Sequence, residues 1–135
     1  MTTLAPTHHC FDDALDFITE CARERNLGGW QVIHAVCCSP HGEIFAHAWV
    51  ERPSDGIAVS AYIINGEQTY VEVPTPTFYE WYLPLRIFRY SIGQALRLNF
   101  RSGHYGPWEE AVRRLCGEGK ILDSLVVEGG RLCQK

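Results

Sequence analysis

Cysteine and histidine are the residues in this chain best suited to chemistry at neutral pH. A thiolate is a strong nucleophile, and imidazole trades a proton near pH 7 more readily than any other side chain. The six cysteines stand at 10, 21, 37, 38, 116 and 133, and the six histidines at 8, 9, 34, 41, 47 and 104. Cys10 opens a segment with helical periodicity. A thiol there faces unpaired backbone N–H groups and the positive end of the helix dipole, and both favour thiolate. Asp12 and Asp13 push the other way. His47 lies in the middle of GEIFAHAWVE (42–51), which alternates as a strand does. A thiol at a helix start and a strand imidazole are the two halves of an activated cysteine pair. Cys37 and Cys38 are adjacent in a strand and read as small hydrophobes. No CxxC spacing of the zinc or thioredoxin kind is present.

These residues need elements to hold them. THHCFDDALDFITECARERNLGG (7–29) reads as one helix, with Phe11, Ala14, Leu15, Ile18, Cys21 and Ala22 on one face. Thr7, His8 or His9 stands near its N-cap, Arg23 and Arg25 fall in its last turn, and Gly28 and Gly29 end it. Strands are expected at 30–38, 43–51, 57–64 and 67–73. SPHG (39–42), RPSD (52–55) and NG (65–66) are turns, the last a type I′ hairpin signal. Pro74 and Pro76 end the sheet. A short helix at 77–83, a strand at 85–90 and a helix at 91–103 capped by Ser91 follow. GHYGPW (103–108) is a compact loop, expected to pack Tyr105 and Trp108 on the core. Pro107 opens a last helix. The order is helix, antiparallel meander, helices, which is α+β. At 135 residues the chain reads as a single domain, with 1–7 as a flexible lead-in and 117–135 adding at most one short element.

Hairpin register predicts what surrounds His47. If Cys38 and Glu43 close the first turn, His47 faces His34. If Glu51 and Gly56 close the second, His47 faces Ser60. His34, His47 and Ser60 then form a polar row across three strands, and a one-residue slip scatters it. Phe45 and Trp49 share the face of His47, while Ile44, Ala46, Ala48 and Val50 take the other. If the helix start packs on the face of His47, Cys10 meets its base. Catalytic histidines are usually oriented by a third group, and Ser60 is the nearest candidate, without a charge.

The HC at 9–10, HAWVE at 47–51 and GHYGPW at 103–108 together resemble the papain-like and transglutaminase-like Cys-His superfamily. The likeness is nearest to small bacterial and phage proteins with these three motifs. It implies a papain-like core, with Cys10 as nucleophile and His47 as general base. Such proteins place an acidic residue on the next strand, where this chain reads IAVSAYIING and offers Ser60. His34, Trp49, His104 and Tyr105 are candidate site-lining residues.

Three functions follow as expectations. The first is a cysteine hydrolase or acyltransferase acting on an amide, isopeptide or thioester bond of a protein or peptide, weakened by the missing acid. The second is a non-enzymatic interaction domain on the same scaffold, with Phe78, Tyr79, Trp81, Tyr82, Phe88 and Tyr90 forming an exposed aromatic patch. The third is a zinc site from Cys10, His34 and His47 with His8 or His9. No cofactor and no metal are expected under the first reading. A formal charge of −4 without a Lys/Arg cluster disfavours nucleic acid. No run of about 20 apolar residues indicates a membrane span. The absence of a signal-like start, with six thiols, leads us to expect a cytoplasmic protein.

Overall fold

The apolar stripe at the N-terminus becomes helix α1 (Cys10–Arg23) in the computed structural model, which describes residues 2–7, 9–23, 28–116 and 125–127. Asp12 and Asp13 occupy its first turn and Arg23 its last, as the helix dipole favours. The readings of His8, Arg25 and Cys133 fall outside the described residues. Strands β2 (Gln31–Cys38), β3 (Ile44–Arg52), β4 (Ile57–Ile64) and β5 (Glu67–Pro74) form the expected antiparallel meander. Asn65 and Gly66 both take positive φ, at 54° and 81°, between the paired Ile64 and Glu67, as a type I′ turn requires. Helix α2 (Thr75–Tyr82) follows, then β6 (Pro84–Ser91), which pairs along β2. Helix α3 (Ile92–Ser102) starts with the Ser91–Gln94 capping box. Helix α4 (Glu110–Cys116) begins three residues after Pro107, so that proline belongs to the preceding loop.

The chain is thus α+β: an N-terminal helix, an antiparallel sheet and later helices. Two further strands complete the sheet: β7 (Leu125–Val127), a short element in the tail where one was expected, and β1 (Thr2–Pro6), which was not foreseen. β1 occupies the lead-in expected to be flexible, and pairs with both β4 and β7. Its pairing has a structural consequence. The β3–β4 ladder runs only from Arg52↔Ile57 to Val50↔Val59, and the next stretch of that β4 edge is taken by β1 at Pro6↔Tyr62 and Ala5↔Ile63. β3 and β4 therefore part beside His47.

The centre of the sheet, β2 to β4, is dry on both faces. Ala14, Leu15, Ile18 and Cys21 of α1 pack with Val32, Ala48, Val50 and Val59 on one face. Ile33, Ala35, Cys37, Phe45, Trp49, Tyr62, Val71 and Val73 pack under Phe78 and Tyr82 of α2 on the other. The aromatic run expected to be an exposed patch is instead this cover. Phe78, Tyr82 and Tyr90 are buried, and Tyr79, Trp81 and Phe88 are half-buried.

The register of His47 differs from expectation by one residue at the first hairpin. Ser39 N–H donates to the Glu43 carbonyl, and Ser39 Oγ accepts from the backbone of both His41 and Glu43. Those bonds draw Glu43 into a five-residue loop closed by Cys38↔Ile44. His47 then faces Ala35, and His34 faces Ala48, so the two histidines lie on opposite faces. The second hairpin is offset by two residues, closing at Arg52↔Ile57, which leaves Ser60 on the face of His47.

The GHYGPW loop lies against His34. Trp108 stacks on that imidazole at 4.9 Å, while Tyr105 is exposed rather than packed on the core. Gly106 has φ of 112°, and a Cβ there would stand 2.5 Å from Cε1 of His34. Phe11, Tyr90 and Trp108 surround that ring, so it has nowhere to go. Gly106→Ala is therefore expected to cost about 1–3 kcal/mol in urea unfolding. The cost should shrink in a His34→Ala background. An unchanged midpoint in the His34 protein would contradict this packing.

Candidate active site

The start of α1 is pinned by Asp13. Its buried carboxylate accepts from the Thr7 hydroxyl and, at 2.8 Å, from Gln68 Nε2 of β5. The Asp13 carbonyl accepts from the Tyr70 hydroxyl at 3.0 Å, and Thr7 Oγ1 accepts from the His9 N–H. Burial raises the pKa of Asp13, against its hydrogen bond with Thr7. These contacts tie the first turn to β5 and hold half-buried Cys10 as the opening residue of the helix.

His47 is 3% exposed and lies among rings. Tyr82 stacks on it at 4.3 Å and 14°, and Trp49 at 5.7 Å and 30°; Phe78 is 6.2 Å away. Neither ring nitrogen has a hydrogen-bond partner among the described residues. Burial pushes its pKa down to about 3, so the imidazole is neutral at pH 7. The same burial makes it a weaker base than a solvated imidazole.

The cause of the His47 shift is burial alone; Cys10 bears on other buried groups. It contributes to raising the pKa of Cys37, of Tyr62 and of Tyr82, in each case after burial, the main cause. Tyr82 is the ring stacked on His47, and its hydroxyl is 2.6 Å from that of Tyr62. Cys37 is paired with Phe45, two residues from His47. This is the region where β3 and β4 part.

His34 is the contrasting case. It is also fully buried, with neither nitrogen partnered among the described residues, and burial lowers it to about 3. It sits on the α1 face, enclosed by Phe11, Tyr90 and Trp108. The neighbouring Tyr90 hydroxyl is raised by burial and by Glu109. Cys10 packs against the hydrophobic cluster of this same α1 face.

The structure brings His47, Trp49 and Ser60 to one face and sets His34, His104 and Tyr105 apart from them; Cys10 packs with α1 against the opposite face, so, contrary to expectation, the helix start does not lie on the face of His47. Ser60 is buried and its hydroxyl opposes the rise of the Tyr62 pKa, so it serves Tyr62. His104 is exposed and organises its own loop: Nδ1 accepts from the Gly106 N–H, and its carbonyl accepts from Asn99, Ser102 and Trp108. Cys10, His34 and His47 are not a zinc ligand set, because the two histidines point to opposite sides of the sheet. Among the described residues no group of three or more His, Cys, Asp or Glu is arranged to hold a metal. No helix among them is long and apolar enough to cross a membrane. Sequence reasoning missed Tyr62, Phe78 and Tyr82. Their role depends on α2 folding back over the sheet, for which no local signal exists.

No protein-family model matches the chain, and neither a curated protein nor a solved structure matches it.

The two neutral histidines couple stability to pH. Unfolded, each takes a proton near pH 6.5; folded, only near 3. Between those values the unfolded state binds more protons, so stability is complete above about 6.5 and falls as pH drops toward 3. Urea unfolding from about pH 7.5 to about pH 5 is expected to show this loss. His47→Phe fills the same stack without a titrating group and should lose part of the dependence. A free energy that stays level across that range would contradict the buried neutral state.

Proposed function

We propose that the chain is a cysteine-dependent hydrolase or acyltransferase acting on an amide, isopeptide or thioester bond of a protein or peptide. Cys10 is the nucleophile and His47 its general base. One observation carries the reading: His47 is a buried, neutral imidazole without a hydrogen-bond partner among the described residues, beside the stretch where β1 displaces β3 from β4. The resemblance in HC, HAWVE and GHYGPW supports it independently.

In this scheme Cys10 Sγ attacks the carbonyl carbon while its proton passes to His47. The first-turn N–H groups of α1, which lack intrahelical acceptors, face the oxyanion. The tetrahedral intermediate collapses as His47 returns the proton to the leaving amine or thiol. Water or a second amine then attacks the thioester on Cys10, releasing the acyl group. His47 has only to reach the thiol, so its burial does not bar substrate from half-buried Cys10. The base is oriented by stacking on Tyr82 and Trp49, without a carboxylate. An imidazolium formed there gains no neighbouring negative charge beyond the thiolate, which fits a slow enzyme.

The test uses p-nitrophenyl acetate as a generic acyl donor, with peptide mapping by mass spectrometry and the other five cysteines as internal controls. Cys10 is expected to acetylate first, and His47→Ala to slow it by about 10²–10⁴-fold. His34→Ala should leave the rate unchanged. Equal acetylation in the wild type and in His47→Ala would end the proposal.

A further inference from the structure

The HAWVE stretch holds a second buried polar group, Glu51. It is 3% exposed and shares the face of His47 and Trp49 through the strand alternation. Its Oε2 accepts from the Trp49 indole Nε1–H at 2.8 Å and from the Tyr79 hydroxyl at 2.6 Å. Its Oε1 accepts from Arg89 Nη1 at 2.7 Å. Arg89 also donates to Gln31 Oε1 at 3.2 Å and, through Nη2, to the Tyr79 hydroxyl at 3.1 Å. The outer side of this cluster lines a cavity of 410 Å³, with Gly56 and Thr75 opposite. Its inner side is Trp49, stacked on His47 and tilted against Phe78 at 4.9 Å.

We infer that Glu51 is a positioning residue, which fixes the Trp49 indole against His47 and is itself held from outside by Tyr79 and Arg89. The inference rests on the Cys10–His47 reading. A staple between β3 and β6 needs only the Glu51–Arg89 pair. The indole adds nothing to that staple, yet it takes one of the two carboxylate oxygens. Trp30 shows that an indole N–H in this fold is not always provided for: its Nε1 is buried without a hydrogen-bond partner among the described residues. The bond to Glu51 fixes which way the Trp49 ring lies, and that ring is one of the three stacked on His47. Oε1 and Oε2 together serve three donors. A glutamine has one acceptor oxygen and cannot serve both sides, so Glu51→Gln must release either Arg89 or the indole and Tyr79.

Two single variants and their combination test this. Glu51→Gln breaks the network, and Trp49→Phe keeps an aromatic ring but removes the N–H. Each is expected to slow acetylation of Cys10 by p-nitrophenyl acetate at least about tenfold. Each should also let the His47 ring protonate at higher pH, followed by NMR. The double variant should be no worse than the more impaired single one, because Glu51 acts through Trp49. Lower stability with unchanged rate and ring titration would make Glu51 a structural staple and overturn the inference, as would additive effects. If Glu51→Gln does not fold, Tyr79→Phe removes one bond to Oε2 from a half-buried site and should move both readouts the same way. Should His47→Ala leave Cys10 acetylation intact, the functional reading fails, and the ring titration alone then decides whether Glu51 positions Trp49.

Discussion

Strand β3 has no wet face, and that constraint governs the rest of the molecule. From Phe45 to Glu51 every residue is buried. Each side chain must therefore suit the layer into which the alternation sends it. Ala46, Ala48 and Val50 are small enough to let α1 lie close. Phe45, His47, Trp49 and Glu51 are large or polar and go under α2. A one-residue slip would bring tryptophan and glutamate against α1 and leave alanines beneath α2. The bonds of Ser39 to residues 41 and 43 select the register that avoids this.

The same constraint gives the two buried histidines different positions. Both lose water, and burial keeps both neutral. His34 is enclosed by Phe11, Trp108, Tyr90 and the backbone of Gly106, so it packs as an aromatic ring. His47 lies where β1 displaces β3 from the edge of β4, on the face opposite α1 and stacked with Tyr82 and Trp49. A buried polar group without a partner needs a reason to persist. For His47 the proposed reason is the thiol of Cys10; for His34 the structure offers only its stacking.

The α+β order, the meander, the NG turn, the Ser91 cap and the stripe of α1 were legible because each rests on local chemistry or on a period of a few residues. The polar row of His34, His47 and Ser60 was not. It depended on how many residues a loop takes, and two hydrogen bonds accepted by one serine hydroxyl settled that against the simplest count. β1 was illegible because its short segment has no alternating pattern of its own and gains its partners only from β4 and β7. The aromatics from Phe78 to Tyr90 were legible as a group and misread as a surface. Composition alone cannot separate a recognition patch from the cover of a sheet with two dry faces. Glu51 was within reach of the sequence, since a residue four positions along a strand shares a face with His47.

The central claim is that Cys10 and His47 share one site, and a charge placed on Cys10 tests it without knowledge of the substrate. Iodoacetate and iodoacetamide leave adducts of nearly equal size on the thiol, one anionic and one neutral. The His47 ring protons are then followed by NMR from neutral pH downward in both adducts. A shared site is expected to make the carboxymethylated protein protonate His47 at least about one pH unit earlier, because a nearby negative charge favours imidazolium. Identical titration in the two adducts would contradict the account.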